Sequence, residues 1–289
     1  MAATKLEPGD ELIRLRGHIS DLVRCSGLDL PLLPESAARI LAHCDAPDSD
    51  AASLAAMLYE DPALAGHVLR MANSAMYSGT AQIRSLQQAV SRLGRRTLQE
   101  IITTIALRSR VFGKTRHAEA VRQLWQHSVA TAGFARAIAR GLNRHAEGAF
   151  LWGLMHDCGR VVLLDLLDTP AIADAHDNQL TSDSITWLLD ELHCSIGASL
   201  AEVWELDETL RDAILWHHDP ANASIGTGAF IVRLADDFAH QLTPTDGRDA
   251  PDEAAVAEIL ARTVAEHPAV DALTLYPDQL GEIAALRDE

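Results

Sequence analysis

The sequence contains no stretch that approaches the ~20 unbroken apolar residues of a membrane-spanning helix. Its N-terminus, MAATKLEPGDELIRLRG, is acidic early and lacks the apolar segment of a secretory signal. The four cysteines are far apart and form no CxxC pair, which argues against a disulfide framework. These absences predict a reduced cytoplasmic protein that has no membrane partner.

Strand patterns are also missing, because no alternating run rich in β-branched residues reaches the length of a strand. Apolar residues instead recur at helical spacing, and the caps Asp48-Ser49-Asp50 and Asp61-Pro62 mark helix starts. We therefore predict an all-α, two-lobed, multi-helix fold, with the lobes meeting at the break VFGKTRH. The predicted parts are an N-terminal helix at 1–27, a domain at 28–238 with lobes 28–114 and 115–238, and an acidic helical extension at 239–289.

The second lobe is predicted to be the thicker one, since all five tryptophans lie there. In the first lobe Gly94 ends the helix that Ser85 opens, and another helix follows at about 95–110. Beyond the break, helices are predicted at about 118–143, 147–157, 160–168, 170–178, 183–192, 195–205, 207–217, 224–241, 251–266 and 270–287, the last one interrupted near Pro277.

The charge of the chain excludes one class of partner. A net charge of −17 argues against general nucleic-acid binding, which depends on neutralising phosphates. The distribution is uneven, because Arg84 to Arg116 holds eight basic residues and one acidic residue. This stretch is either a solvated helix face or a basic strip for an anionic partner.

The segment EGAFLWGLMHDCGRVVLL, residues 147–164, places His156 and Asp157 between two apolar runs. Imidazole and carboxylate groups both bind divalent cations, and a buried polar pair is costly unless something pairs with it. Gly159 is predicted to break the helix here. Cys158 and Cys194 each adjoin a candidate histidine, and we interpret both as small buried fillers.

Further histidines and an aspartate lie beside other apolar helical segments. Each alone is typical of a satisfied core or surface residue, but together they follow the order H, HD, H, HH, D. The full set is His127, His156, Asp157, His193, His217, His218 and Asp236.

This arrangement resembles the HD superfamily of helical metal-dependent phosphohydrolases, and in wording it is most similar to the HDOD (HD-related output domain) family of bacterial signalling proteins. Segments such as NSAMYSG, LWQHS and GLMHDCGR stand in the family's order over about residues 28–238. The resemblance implies a first metal held by His127, His156, Asp157 and Asp236. It also implies that His193, His217 and His218 support a second metal or the phosphate.

Three departures from the catalytic HD-GYP relatives accompany this resemblance. Gln123 stands where some of them carry a glutamate, Arg160 replaces a phosphate-binding lysine, and no Gly-Tyr-Pro loop follows His217-His218. Arginine can still bind phosphate, with a different geometry. The metal-ligand types therefore survive while the substrate loop is missing.

The predicted function is a signal-transduction output module with a non-catalytic HD site that acts on a regulatory protein partner. A nucleotide second messenger is a further expected ligand, and Fe, Mn or Mg the expected metal. The alternative is an active metal-dependent phosphohydrolase that acts on a nucleotide or cyclic dinucleotide. A scaffold without any ligand is a third reading, which the complete set of ligand-type residues disfavours.

Overall fold

The chain adopts the helical fold that the sequence predicts. The computed structural model describes residues 9–24, 30–74, 83–113, 117–142, 146–169, 172, 180–244 and 248–285, and no β-strand occurs among them. Within the same residues, no helix has the length and apolar character required to cross a bilayer.

The helices are numbered in chain order. The first part comprises α1 (Asp10–Arg24), α2 (Glu35–Cys44), α3 (Ala51–Tyr59), α4 (Pro62–Ala72) and α5 (Leu86–Arg110). The second comprises α6 (Ala118–Gly141), α7 (Ala146–Met155), α8 (Cys158–Leu167), α9 (Ser182–Val203), α10 (Glu208–Trp216), a 3₁₀ turn (Pro220–Asn222) and α11 (Gly228–Leu242). The chain ends in α12 (Glu253–Glu266), α13 (Pro268–Leu273) and α14 (Pro277–Ala284).

Helix starts follow the predicted cap chemistry. The Asp50 carboxylate accepts a hydrogen bond from the Ser53 backbone N–H at 2.7 Å, and the Asp61 carboxylate accepts one from Leu64 at 3.0 Å. These bonds satisfy N–H groups that have no partner within the helix. Gly94 takes φ 74° and kinks α5, as predicted, because glycine adopts positive φ without a Cβ penalty.

Two predicted boundaries were wrong. The helices expected at 183–192 and 195–205 form the single helix α9, since neither intervening residue, His193 or Cys194, breaks a helix. The break expected at Gly159 falls instead at His156-Asp157, and Gly159 lies in the first turn of α8. The helix predicted at 170–178 lies outside the described residues, except for Ile172.

The apolar core consists of three main clusters. One is formed by the four helices α2, α3, α4 and α5, with residues such as Leu58, Val68 and Ile101. The largest surrounds α8 and α9, and α1 packs into it rather than into the first lobe. The third covers α6 and α11 with α13 and α14. A buried ion pair between Arg136 and Glu100, at 2.6 Å, links α6 to α5.

Glycine permits the closest helix contact in the second lobe. A Cβ on Gly159 would lie 2.0 Å from the backbone oxygen of His193 and 2.7 Å from the backbone nitrogen of Gly197. The backbones of α8 and α9 therefore touch directly, and this contact sets how far His156-Asp157 lies from His193.

We predict that Gly159→Ala destabilises the protein by at least about 3 kcal/mol, because a clash with backbone cannot be relieved by a side-chain movement. The measurement is the free energy of unfolding in urea. Gly133→Ala in α6 is the matched control, since its Cβ would meet nothing within 4 Å, and it should be neutral or stabilise by up to about 1 kcal/mol. Equal stabilities of the two variants would contradict the close contact.

Candidate metal centre

All seven ligand-type residues predicted from the sequence converge in the second lobe. The turn between α7 and α8 supplies His156 and Asp157, and α6 supplies His127. Asp236 lies within α11, His193 within α9, and His217-His218 directly follow α10. Three helices, the α7–α8 turn and the end of α10 thus contribute side chains from positions far apart in the chain.

The first group surrounds Asp236. Its Oδ1 lies 2.9 Å from His127 Nε2 and 3.5 Å from His156 Nε2. His156 Nε2 also lies 3.6 Å from Asp157 Oδ2. These four residues are at most 7 % exposed, so the group is a buried pair of carboxylates facing two imidazoles.

The second group surrounds His193 Nε2. This atom lies 3.4 Å from His217 Nε2 and 3.0 Å from His218 Nε2. Asp157 Oδ1 lies 3.4 Å from it, while Oδ2 of the same carboxylate faces His156. Asp157 therefore bridges the two groups.

Hydrogen bonds to the backbone fix the tautomers of three histidines. Nδ1 of His156 donates to the Gly153 carbonyl at 2.8 Å, Nδ1 of His193 to Leu189 at 2.7 Å, and Nδ1 of His217 to Ile214 at 2.7 Å. Each Nε2 is thereby turned into the cluster. This is the usual arrangement of metal-binding histidines.

The cluster fits a divalent cation. His156 Nε2 is buried and makes no hydrogen bond of normal length among the described residues, and such an atom requires a compensating partner. Nitrogen and carboxylate oxygen donors suit the borderline and hard divalent metals. The metal itself remains a prediction, as does each ligand role.

The two carboxylates of the first group favour cation binding. Burial alone would raise the pKa of Asp157, but the positive charges of His156 and Arg160 outweigh it and hold that pKa below its usual range. Burial likewise opposes the shift at Asp236, whose pKa is nonetheless lowered by the hydrogen bond from His127 and by the nearby positive charge of His156. Both carboxylates are therefore ionised at neutral pH. Burial would lower the pKa of His156, but Asp157 and Asp236 raise it to about 9, so a metal must displace the proton on Nε2 before His156 can bind it.

The second group is neutral by contrast. Burial lowers the pKa of His193 to about 4 and the pKa values of His217 and His218 below their usual range. Neutral imidazoles keep the lone pair that a metal requires.

A cleft of about 710 Å³ opens above the cluster, and both His127 and Asp157 line it. Arg160, the predicted anion-binding residue, also lies in its wall. Its Nε donates to Asp157 Oδ1 at 3.0 Å, and its Nη1 donates to Asp190 Oδ1 at 2.9 Å. Gln123 lines the same cleft and donates to Glu119 at 3.1 Å.

The sequence interpretation missed two residues at the cluster. His240 Nδ1 lies 3.3 Å from Asp236 Oδ1, and the i,i+4 spacing from Asp236 within a helix was the available signal. Cys194 Sγ lies 3.3 Å from His193 Nε2, although we interpreted this cysteine as a filler. The position of Cys194 next to His193 in the sequence did not indicate which way its thiol points.

An all-helical fold with this cluster of histidines and aspartates defines a protein of the HD-like helical class. The HDOD domain family model matches residues 30–220, so the chain belongs to the HDOD domain family, and the predicted resemblance is confirmed.

Three comparisons show the range of similar proteins. An uncharacterised protein from Treponema pallidum (strain Nichols) is 28% identical over 228 residues, which cover 75% of this chain and 42% of that protein. The chain thus spans less than half the length of this relative. An HDOD domain protein of unknown function from Geobacter sulfurreducens has a TM-score of 0.67 at 25% identity, with 97% and 98% of the two chains covered. A protein from Shewanella amazonensis SB2B, provisionally named a metal-dependent phosphohydrolase, has a TM-score of 0.69 at 21% identity, covering 96% of this chain and all of that one. The last likeness shows the fold alone.

We predict that the purified protein retains a divalent metal and that Asp236→Asn or His156→Ala weakens its binding at least about tenfold, since even outer partners of metal ligands contribute about 10–100-fold. Elemental analysis after dialysis at graded metal concentrations provides the measurement. His67→Ala, an exposed histidine on α4, is the control and should retain the wild-type metal content. Equal retention in all variants would contradict the ligand assignment.

Proposed function

We propose that this chain is a regulatory output module of signal transduction, in which the HD site is retained for metal or ligand binding and not for turnover. A protein partner, or a bound nucleotide second messenger, is the expected route of its effect. The single observation that carries this proposal is the engagement of Arg160 by two carboxylates.

Phosphodiester hydrolysis needs more than a metal site. A bound metal would supply an activated water and a Lewis acid at this cluster. The protein must also hold the phosphate and stabilise the charge that develops on it. In this chain the family motif assigns phosphate binding to Arg160, which lies beside the cluster.

The guanidinium of Arg160 already forms hydrogen bonds with two carboxylates. Its Nε and Nη1 donate to Asp157 and Asp190, and its side chain is only 19% exposed. Moving it onto a phosphate would leave the buried Asp157 without its closest charged partner. Removing one member of a buried ion pair costs about 3–5 kcal/mol, so the phosphate would have to offset that loss.

The wall of the cleft supports the same conclusion. Gln123 is neutral and is held by Glu119, so it brings no charged ligand to the metal group. The Gly-Tyr-Pro loop that the catalytic relatives use is missing from the sequence after His218. The chain therefore retains the ligand cluster but lacks one charged metal ligand and the substrate loop of the catalytic relatives.

A metal-dependent phosphohydrolase is the second candidate, and one observation favours it. The cleft above His127 and Asp157 has a volume of about 710 Å³, within the range of about 300–1,000 Å³ that is usual for small-molecule sites. A nucleotide or cyclic dinucleotide therefore has space beside the cluster.

We predict no multiple-turnover hydrolysis of cyclic di-GMP or simple nucleotides by the full chain with added manganese or ferrous iron. The reason is the loss of phosphate positioning, on which most of the rate depends. Product is measured by chromatography over many equivalents of enzyme. Turnover that persists in His67→Ala and disappears in both His156→Ala and Asp157→Ala would establish the phosphohydrolase instead.

A further inference from the structure

The second group of ligand-type side chains contains a thiol that the family pattern does not include. Cys194 follows His193 on α9, and its Sγ lies 3.3 Å from His193 Nε2. The donor atoms of His193, Cys194, His217 and His218 all lie within 4.8 Å of one another. Three imidazoles and one thiol thus each bring a potential donor atom into one small volume.

The separations from His193 Nε2 are close to those of a tetrahedral metal site. Zinc binds nitrogen at about 2.0–2.1 Å and thiolate sulfur at about 2.3 Å, so neighbouring donors in a tetrahedron lie roughly 3.3–3.6 Å apart. The observed separations from His193 Nε2 are 3.4 Å to His217, 3.0 Å to His218 and 3.3 Å to Cys194 Sγ.

The tautomers give independent support for a cation at this point. Because Nδ1 of His193 and Nδ1 of His217 each donate to a backbone carbonyl, both Nε2 atoms of the neutral rings carry lone pairs. The two Nε2 acceptors lie 3.4 Å apart. Acceptors this close are stabilised by a cation, or by a proton donor such as His218 or Cys194, whose Nε2 and Sγ lie 3.0 Å and 3.3 Å from His193 Nε2.

We propose that His193, Cys194, His217 and His218 form a thiolate-containing tetrahedral site for zinc. Four protein ligands without an open position are typical of structural zinc sites, and thiolate favours zinc over magnesium or manganese. The inference rests on the proposed non-catalytic function and deepens it by naming the metal class of this position. Binding releases the thiol proton of Cys194 to solvent and involves no redox change.

The chain offers a route for the ion and a matched control. His218 is exposed and Cys194 is partly exposed, so the site can exchange metal with solvent from that side. Cys158 lies next to Asp157 but is fully buried, and it does not belong to the donor group.

The test replaces bound metal with cobalt(II) in the full chain and records its absorption spectrum. Thiolate coordination gives a sulfur-to-cobalt charge-transfer band in the near ultraviolet, with the strong visible bands of tetrahedral cobalt. We expect this band in the wild type and in Cys158→Ser, and its loss in Cys194→Ser. Zinc binding should also weaken at least about tenfold in Cys194→Ser.

Failure to bind cobalt, bound cobalt without the thiolate band, or a band that survives in Cys194→Ser would each overturn the assignment. If Cys194→Ser does not fold, alkylation of the wild type decides the question. Zinc should protect Cys194 from iodoacetamide, as measured by peptide mass spectrometry, and removal of zinc by a chelator should expose it; equal labelling in both states would overturn the proposal. Turnover of cyclic di-GMP with the thiolate band intact would refute the proposed function alone.

Discussion

The structure depends on the close approach of helix backbones at glycines. A Cβ on Gly153 would lie 2.7 Å from the backbone oxygen of Thr131, which brings α7 against α6. Gly159 and Gly197 do the same for α8 and α9, and a Cβ on Gly197 would lie 2.9 Å from the side chain of Ile214 on α10. These contacts place His127, His193 and the His156-Asp157 turn within reach of one another. Packed helices usually lie about 8–10 Å apart between their axes. Helices can approach more closely where a glycine leaves no side chain between them.

This packing also makes the buried charges tolerable. An isolated carboxylate in a protein interior is strongly unfavourable, yet Asp157 is only 6 % exposed. It is stabilised by three neighbours, because His156 precedes it in the turn, Arg160 lies one turn along α8 and His193 faces it from α9. The carboxylate therefore serves the fold as well as the candidate centre. Because Asp157 contributes to the fold in this way, Arg160 is bound to carboxylates and is not free to bind a ligand.

The elements that the sequence predicts well are those with a local cause. The caps at Asp50 and Asp61, the kink at Gly94 and the break at Pro277 each depend on the chemistry of a few neighbouring residues. The ligand-type residues were recognisable from their order along the chain, although their convergence depends on long-range packing. The ion pairs of Arg160 and the orientation of Cys194 could not be predicted, because each depends on side chains that other helices or turns supply. The role of Gly159 was misread for the same reason, since its partner is the backbone of a distant helix.

The C-terminal extension belongs physically to the candidate centre. The predicted domain end at residue 238 falls inside α11, and the apolar face of that helix packs against α13, which contributes Ala269, Val270 and Leu273 to the same cluster. Asp236 occupies the same helix, beyond the region 30–220 that the family model matches, so its position depends on this packing. A chain of polar contacts continues the connection: His267 bonds to Asp237 at 2.8 Å, Asp237 pairs with Arg233, and Arg233 lies 3.5 Å from His218. Because α11 holds both Asp236 and these contacts, any displacement of the C-terminal helices changes the geometry of both ligand groups together.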